Sequence, residues 1–333
     1  MDMINLDPNE KKKLRRIGVL TSGGDAPGMN AAIRSVVRTC IQYGVTPVGI
    51  YRGYNGLINS DVVELNARSV NGLTSHGGTM LYTARCPEFK TEEGLARAVK
   101  TCRYLGIDGL IAIGGDGTFR GAQALAEHGV PTIAIPGTID NDIACTDYSI
   151  GFDTAANTAI DAIDKLADTM QSHERCSVVE VMGRGAGHLA LYCGLACGAA
   201  AILIPEKPVD FEKDIIEKIR QGHFNGKHHF LIIVAEGVGH TNEIAEQIRD
   251  MTGIETRVTI IGHIQRGGSP SARDRVMASR MGHYAVMQLL AGSSNLVVCY
   301  RDAKLCSLPI SEALTMHKDL NAYMYQVACD IAI

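Results

Sequence analysis

A glycine-rich segment with one carboxylate, Gly114-Gly115-Asp116-Gly117-Thr118, follows an apolar stretch at Gly109–Ile113 and precedes a helical pattern at Phe119–His128. Glycines let backbone N–H groups approach phosphate oxygens, and the N-terminus of a helix attracts anions. A carboxylate such as Asp116 can hold Mg²⁺ through water. We therefore interpret the segment as a nucleotide-phosphate site. The alternative is a tight strand-to-helix turn capped by Asp116.

Two further carboxylates, Asp140 and Asp142, follow the next apolar stretch, Thr132–Ile135. Two close carboxylates near a metal suit phosphoryl transfer, because one can accept a hydroxyl proton while the other assists the metal. The alternative is an Asx-rich turn. We favour phosphoryl transfer because this loop follows the glycine-rich strand by one βα unit.

A third polar segment, Gly262–Pro270, also leaves a predicted strand and enters a predicted helix. Ser269 is expected to cap that helix, with Pro270 as its first residue. His263 and Arg266 are candidates for binding a sugar phosphate, because arginine binds phosphate with two hydrogen bonds and histidine adds a donor. A structural histidine is the alternative for His263.

Arg257, upstream of His263 and Arg266, is a further candidate for binding the same sugar phosphate. Three more cations lie near predicted strand ends or in loops: Arg85, Arg175 and Arg184. Arginine side chains that simply face water are the usual explanation for such positions. Around a site with carboxylates and glycines, however, they would supply the positive charge that phosphoryl transfer requires.

Apolar stretches alternate with amphipathic patterns along the whole chain, and these elements must position the polar loops. Strands are predicted at Ile17–Thr21, Pro47–Tyr51, Gly109–Ile113, Thr132–Ile135, Cys176–Val181, Ala200–Ile204, Phe230–Ala235, Arg257–Ile261 and Leu296–Tyr300. Helices are predicted at Met29–Tyr43, Glu92–Tyr104, Phe119–His128, Thr154–Met170, Phe211–Gln221, Glu243–Met251 and Ala272–Leu290. The alternation predicts an α/β fold with mostly parallel sheets covered by helices on both faces. Ligands bind at the carboxyl ends of strands in such sheets.

Composition supports a soluble globular protein and leaves anionic small molecules possible as partners. The 333 residues include 36 glycines, against about 23 expected from ordinary usage, and we expect most of the excess in loops around the site. A hydrophobic share of 46% excludes intrinsic disorder, and a net charge of −4 argues against a nucleic-acid surface. The length predicts two domains.

The remaining composition favours the cytoplasm. Ten cysteines lie mostly within apolar stretches, so reduced and buried thiols are expected rather than disulfides or a zinc site. The basic run Lys11–Lys13, with Arg15 and Arg16, is interpreted as a solvated N-terminal tail and not as an anchor. No stretch approaches the ~20 apolar residues of a membrane helix.

The polar segments together carry a family resemblance. Ile17–Asn30, Gly114–Thr118, Pro136–Asp142, Met182–Arg184 and Gly262–Pro270, in this order and spacing, resemble the bacterial-type ATP-dependent 6-phosphofructokinases. The resemblance runs from about Ile17 to the C-terminus. It implies two doubly wound, Rossmann-like domains: residues 14–151 plus 266–318 would bind ATP, and residues 152–265 plus 319–333 would bind fructose 6-phosphate. Residues 1–13 would form the N-terminal tail.

The resemblance also implies roles for individual residues. The ATP and Mg²⁺ site would contain Gly24, Tyr54, Arg85, Cys86, Gly115, Asp116, Gly117, Thr118 and Gly121, with Asp116 at the metal. The sugar and its 6-phosphate would contact Thr138, Asp140, Arg175, Met182, Gly183, Arg184, Glu236, Arg257, His263 and Arg266. Asp140 would be the base for the 1-hydroxyl and Asp142 the second carboxylate. Arg175 and Arg257 would reach a neighbouring subunit of a homotetramer.

Three alternatives stay open at this point. Pyrophosphate-dependent relatives carry Asp in place of Gly117 and Lys in place of Gly137, so two glycines favour ATP. A dinucleotide-binding oxidoreductase is suggested by Gly183–Gly187 after a predicted strand, although the fingerprint is imperfect. A non-catalytic sensing subunit would be expected to lose Asp116 or Asp140, and this chain keeps both.

The effector site of the resembled family is only partly matched. Arg34 and Arg38 fit it, but Ala67, Ala167 and Ala200 stand where typical members have two arginines and a metal-binding glutamate. Each lost charged contact removes a few kcal/mol if it is buried. We therefore expect a weak or absent response to ADP and phosphoenolpyruvate.

Overall fold

The computed structural model describes residues 14–332 and forms two compact units. The first contains the described residues up to Ile139, together with Ile143–Asp153 and Arg266–Lys318; the second contains Asp140–Asp142, Thr154–Gln265 and the residues from Asp319 onward. Lys11–Lys13 lie outside the described residues. Arg15 and Arg16 lie within them, and their backbone N–H groups donate to the Asp108 carboxylate at 2.7 and 3.1 Å, so the interpretation as a solvated tail is wrong for these two residues. Which ligand each unit binds remains a prediction.

The strands and helices follow in chain order. The strands are β1 (Arg16–Thr21), β2 (Thr46–Ile50), β3 (Val62–Glu64), β4 (Gly109–Gly114), β5 (Thr132–Thr138), β6 (Ile150–Gly151), β7 (Cys176–Val181), β8 (Ala201–Leu203), β9 (Phe230–Ala235), β10 (Thr256–Ile260), β11 (Leu296–Arg301) and β12 (Lys304–Pro309). The α-helices are α1 (Met29–Gln42), α2 (Tyr54–Asn59), α3 (Glu92–Leu105), α4 (Asp116–Glu127), α5 (Phe152–Ser172), α6 (His188–Ala196), α7 (Glu217–Phe224), α8 (Thr241–Thr252), α9 (Ala272–Leu290), α10 (Ile310–Ala313) and α11 (Ala322–Asp330).

The sheet of the first unit has the order β12-β11-β5-β4-β1-β2-β3, with β6 beside β5. Its central strands are parallel, and β3 and β12 pair antiparallel at the two edges. From β1 the chain goes to β2 on one side and later to β4 on the other. A switch in strand order therefore lies between β1 and β4, where such sheets form a ligand crevice. The loop after β1 and the start of α4 meet at this place.

The sheet of the second unit has the order β10-β7-β9-β8, and all its pairs are parallel. Its central strand β9 is a continuous apolar run with every residue buried, and every residue of β4 in the first unit is buried as well. Strands buried on both faces are typical of parallel sheets covered by helices. The prediction of an α/β fold with mostly parallel sheets is confirmed. No helix within residues 14–332 combines the length and apolarity needed to cross a membrane.

Some elements differ from the sequence predictions. Helix α4 begins at Asp116, three residues earlier than expected, and α9 is capped by Ser271 rather than by Ser269. Pro270 therefore precedes the helix, and the Ser269 hydroxyl instead donates to the backbone carbonyl of Ser75, 2.8 Å away. The expected helix at Phe211–Gln221 instead consists of a π-helical turn at Glu212–Ile216 followed by α7.

Gly121 in α4 shows how tightly the first unit is packed. A Cβ atom at this position would lie 2.5 Å from the ring of Tyr54. That ring is buried, stacks on Phe89 at a centroid distance of 4.1 Å, and its hydroxyl donates to the Thr118 carbonyl at 2.6 Å. The ring of Tyr54 therefore cannot move away from an added Cβ atom at Gly121 without disturbing these contacts.

We expect Gly121→Ala to lower the free energy of unfolding by about 2 kcal/mol because of this overlap. The usual effect of replacing an interior helix glycine by alanine is a gain of about 1 kcal/mol. Gly117→Ala is the matched control in the same helix, since its Cβ would meet no atom within 4 Å. Urea unfolding followed by circular dichroism measures both. Equal stabilities of the two variants would contradict the packing argument.

Candidate active site

Two glycine-rich loops of the first unit meet directly at the switch point. The hydroxyl of Thr118 donates to the Ser22 carbonyl at 3.0 Å, and the Ser22 N–H donates to the Ile113 carbonyl at 3.0 Å. A Cβ on Gly114 would lie 2.4 Å from that same Ser22 oxygen. The loops can approach this closely only because Gly114 has no side chain.

The start of α4 presents open backbone at this place. Asp116 and Gly117 are exposed, and a Cβ added at Gly115 or Gly117 would meet nothing within 4 Å. A helix N-terminus carries partial positive charge and free N–H groups, which suit a phosphate. The arrangement agrees with the interpretation of Gly114–Thr118 as a phosphate-binding segment.

Other predicted ATP-site residues surround these loops at different depths. Tyr54 packs against α4 and is only 4% exposed. Burial raises the pKa of its hydroxyl. Arg85 is exposed, and Cys86 is half-buried just before a 3₁₀ turn. Gly24 faces the guanidinium of Arg266, which lies 2.7 Å from the position of its missing Cβ.

The expected catalytic loop leaves the end of β5. Thr138 is the last residue of the strand, and its carbonyl accepts a hydrogen bond from the Ser149 hydroxyl at 2.7 Å. Asp140 is 6% exposed, whereas Asp142 is half-buried. Asn141 between them has a φ of 50°, a left-handed conformation that asparagine tolerates. The bend gives the two carboxylates different environments.

Backbone donors, the half-buried Glu236 and the buried Gln265 organise the second unit. The Glu236 carboxylate accepts from the N–H groups of Gly183, at 3.2 Å, and of Arg184. The Met182 N–H donates to the side-chain oxygen of Gln265 at 2.9 Å. The loops after β7, β9 and β10 are thereby tied together. Sequence reasoning missed Gln265, although its place between two candidate ligands was a signal.

The two arginines that the resemblance assigns to a neighbouring subunit share one carboxylate in this chain. Arg175 donates to Glu255 at 2.8 Å and Arg257 donates to it at 2.6 Å. The hydrogen bond from Arg175, followed by that from Arg257, lowers the pKa of the Glu255 carboxyl. Sequence reasoning did not single out Glu255. His263 is exposed in the 3₁₀ turn after β10.

The structure groups the predicted residues within each unit. The predicted ATP-site residues all belong to the first unit, together with Thr138 and Arg266. The other predicted sugar contacts belong to the second unit, as does Asp140. The roles assigned to these residues remain predictions.

The expectation that the glycines lie in loops facing phosphate is wrong in part. Gly117 and Gly121 are in α4, and several others are required by packing. A Cβ on Gly77 would lie 2.2 Å from the Gly268 carbonyl, and one on Gly187 would lie 2.5 Å from Ile204. Close contact between elements therefore explains many of them.

The oxidoreductase alternative is disfavoured by a carboxylate at the glycine-rich turn after β7. The N–H of Gly187, the N-cap of α6, donates to the Glu206 carboxylate at 2.7 Å. A dinucleotide pyrophosphate needs this helix N-terminus for its own charge. Glu206 would repel it.

The effector positions are spread over three environments. Arg34 and Arg38 are one turn apart on α1 and reach the surface, Ala67 is exposed and Ala167 is half-buried. Ala200 is 2% exposed and belongs to the hydrophobic core of the second unit. The three alanines therefore offer no charged group to an effector.

Parallel sheets, glycine loops at a switch point and a carboxylate at a helix start define the class of α/β proteins that handle phosphorylated ligands. Within that class, the chain belongs to the phosphofructokinase family, which matches residues 16–289. The ATP-dependent 6-phosphofructokinase of Clostridium botulinum is 55% identical over 315 residues, which are 95% of this chain and 98% of the relative. That of Clostridium tetani has the same identity and coverage.

Solved structures agree with this assignment. Phosphofructokinase from Saccharomyces cerevisiae matches with a TM-score of 0.86 and 33% identity over 96% of this chain. The present chain spans about half the length of that yeast chain, namely 48%. A pyrophosphate-dependent phosphofructokinase from Marinobacter aquaeolei matches with a TM-score of 0.83 but 21% identity, covering 96% of this chain and 91% of its own. At that identity the similarity concerns the fold alone.

Proposed function

We propose that this chain is an ATP-dependent 6-phosphofructokinase. It transfers the γ-phosphoryl group of ATP to the 1-hydroxyl of fructose 6-phosphate and releases fructose 1,6-bisphosphate and ADP. The observation that carries the proposal is 55% identity to proteins of that name over nearly the whole chain. The directly linked loops at the switch point and the buried Asp140 support it independently.

Each polar group has a role in this reaction. Asp140 accepts the proton of the attacking 1-hydroxyl, with Thr138 and Asp142 beside it on the loop. Arg85 and Arg184 stabilise the charge on the transferred group. Positioning and charge stabilisation supply most of the rate enhancement in phosphoryl transfer.

Most residues proposed to bind the sugar phosphate belong to the second unit, Thr138 and Arg266 belong to the first, and residues of a neighbouring subunit of a homotetramer complete the set. Glu236 aligns the backbone at Gly183 and Arg184, and His263 and Arg266 bind the 6-phosphate. Arg175 and Arg257 extend to the substrate site of the neighbouring subunit. In the absence of the sugar 6-phosphate, ion pairs with Glu255 hold both guanidinium groups in position. We place this enzyme in the cytoplasm, where its ten cysteines, six of them buried, remain reduced.

The residues present fit a magnesium ion. Mg²⁺ keeps several waters and binds through one or two carboxylates and substrate phosphates rather than a full protein cage. Among residues 14–332 no group of three or more metal-binding side chains lies together, whereas Asp116 is exposed beside the phosphate-binding backbone. Asp116 would hold the ion, which when bound offsets negative charge on the phosphates.

Selection of the phosphoryl donor depends on the two glycines unequally. The missing Cβ of Gly117 points to open space, so an aspartate there would add its charge beside the nucleotide. The missing Cβ of Gly137 lies 3.2 Å from Ile113 and from Met29, within the core. Gly117 is therefore the residue that selects ATP most directly.

Asp140→Asn tests the catalytic assignment. Because a general base contributes about 10²–10⁴-fold, we expect kcat to fall by that factor with little change in the KM values. Asp161→Asn, which removes an exposed carboxylate of α5, is the control and should keep full activity. A coupled assay of ADP release measures both. Near-normal kcat in the Asp140 variant would rule out the proposed base.

Effector response is tested by fructose 6-phosphate saturation curves with and without ADP and phosphoenolpyruvate. With Ala67, Ala167 and Ala200 in the effector positions, we expect the half-saturation concentration to change less than twofold. The reason is that the charged contacts that would bind either effector are missing. A sigmoidal curve shifted strongly by either ligand would refute this expectation.

A further inference from the structure

We propose that Tyr148 and Asp274 are positioning residues that hold the end of β5, from which the proposed catalytic loop departs, through a buried hydrogen-bond network. The inference rests on the proposed function, because Thr138 and Asp140 have catalytic roles only under that function. Neither residue was singled out by its sequence context.

The network centres on a carboxylate with no solvent exposure. Asp274 is the third residue of α9 and is 0% exposed. Its Oδ1 accepts from the Tyr148 hydroxyl and from the Gly151 N–H at 2.7 Å, and its own N–H donates to the Ser271 cap at 3.2 Å. The first turn of a helix favours a negative charge. These hydrogen bonds therefore hold the Asp274 side chain where its Oδ1 accepts from both donors.

Tyr148 is held on both sides. The residue is 2% exposed, and the Arg273 guanidinium lies 4.7 Å from the centre of its ring. Burial, followed by the charge of Asp274, raises the pKa of the Tyr148 hydroxyl, so it remains a protonated donor. Asp153 adds to that effect and itself accepts from Ser271 at 2.6 Å.

The segment Tyr148–Gly151 carries this constraint to the catalytic loop. The Ser149 hydroxyl donates to the Thr138 carbonyl, and β6 pairs with β5 so that Gly151 lies opposite Thr138. Thr138 is two residues before Asp140 in the chain. Asp274 thus fixes Gly151, and Gly151 fixes the end of the strand from which the loop departs.

The segment has little freedom to move. Gly151 has a φ of 106°, and a Cβ there would lie 2.6 Å from the Cβ of Ala26. A Cβ on Gly28 would lie 2.7 Å from Ile150. The same segment therefore packs against the loop after β1, so a loss of the Asp274 contacts alters both the Thr138 end of β5 and its neighbouring loop.

Tyr148→Phe removes one donor and keeps the ring. Small misplacements of catalytic groups are costly, about 10²-fold for an error near 1 Å. We expect kcat to fall at least tenfold, with the KM for ATP within twofold of that of the unmodified protein. Should this variant not fold, Asp274→Asn tests the same link, because it keeps an acceptor oxygen and removes the charge. A tenfold lower kcat is expected there too.

Thr132→Val is the matched control, at the opposite end of the same strand. Its hydroxyl is buried and donates to the Ala122 carbonyl at 2.9 Å, so the variant also loses a buried hydrogen bond in β5. We expect a comparable loss of stability in urea but kcat within twofold of normal.

Three outcomes decide the matter. A low kcat for Tyr148→Phe together with a normal kcat for Thr132→Val supports the positioning role. A normal kcat for Tyr148→Phe, or an equal loss in both variants, overturns it while the proposed function stands. An unmodified protein without activity on ATP and fructose 6-phosphate would instead refute the proposed function, and this inference with it.

Discussion

The direct contact between two glycine-rich loops at the switch point of the first sheet is the constraint on which the rest of the site depends. Thr118 bonds to the Ser22 carbonyl, and Gly114 leaves the space that this contact needs. Because the loops leave neighbouring parallel strands, the sheet fixes their distance before any ligand binds. The exposed backbone at the start of α4 is therefore already ordered. Binding of the proposed nucleotide phosphate there would require little further ordering of the chain.

Rigidity of this edge is built from elements that look unrelated in sequence. The Tyr54 hydroxyl donates to the Thr118 carbonyl in α4, and the Tyr148–Asp274 network restrains the end of β5. Arg266 donates to the Asp25 carbonyl at 3.1 Å and so restrains the loop after β1. Residues from distant parts of the chain thus restrain three backbone segments of the first unit: the start of α4, the end of β5 and the loop after β1.

Apolar alternation predicted the central strands well, because strands buried on both faces are continuous apolar runs; β7 and β9 have the predicted bounds. It missed α6, which is apolar on all sides and has no helical period, and the short edge strand β3. Candidate site residues can be proposed from the sequence because their residue types carry the chemistry, and their roles remain predictions. Glu255 and Asp274 could not be singled out in this way, since they form hydrogen bonds with partners far away in the sequence.

The central claim is that the absence of a side chain at Gly117 allows the site to use ATP, rather than pyrophosphate, as the phosphoryl donor. The most direct measurement is the rate of fructose 1,6-bisphosphate formation with ATP and with pyrophosphate, followed by ³¹P NMR under otherwise identical conditions. The account predicts rapid formation of the 1,6-bisphosphate and ADP with ATP, and a rate at least 100-fold lower with pyrophosphate, about 2.7 kcal/mol in activation free energy. Faster turnover with pyrophosphate, or no 1,6-bisphosphate from ATP, would contradict it.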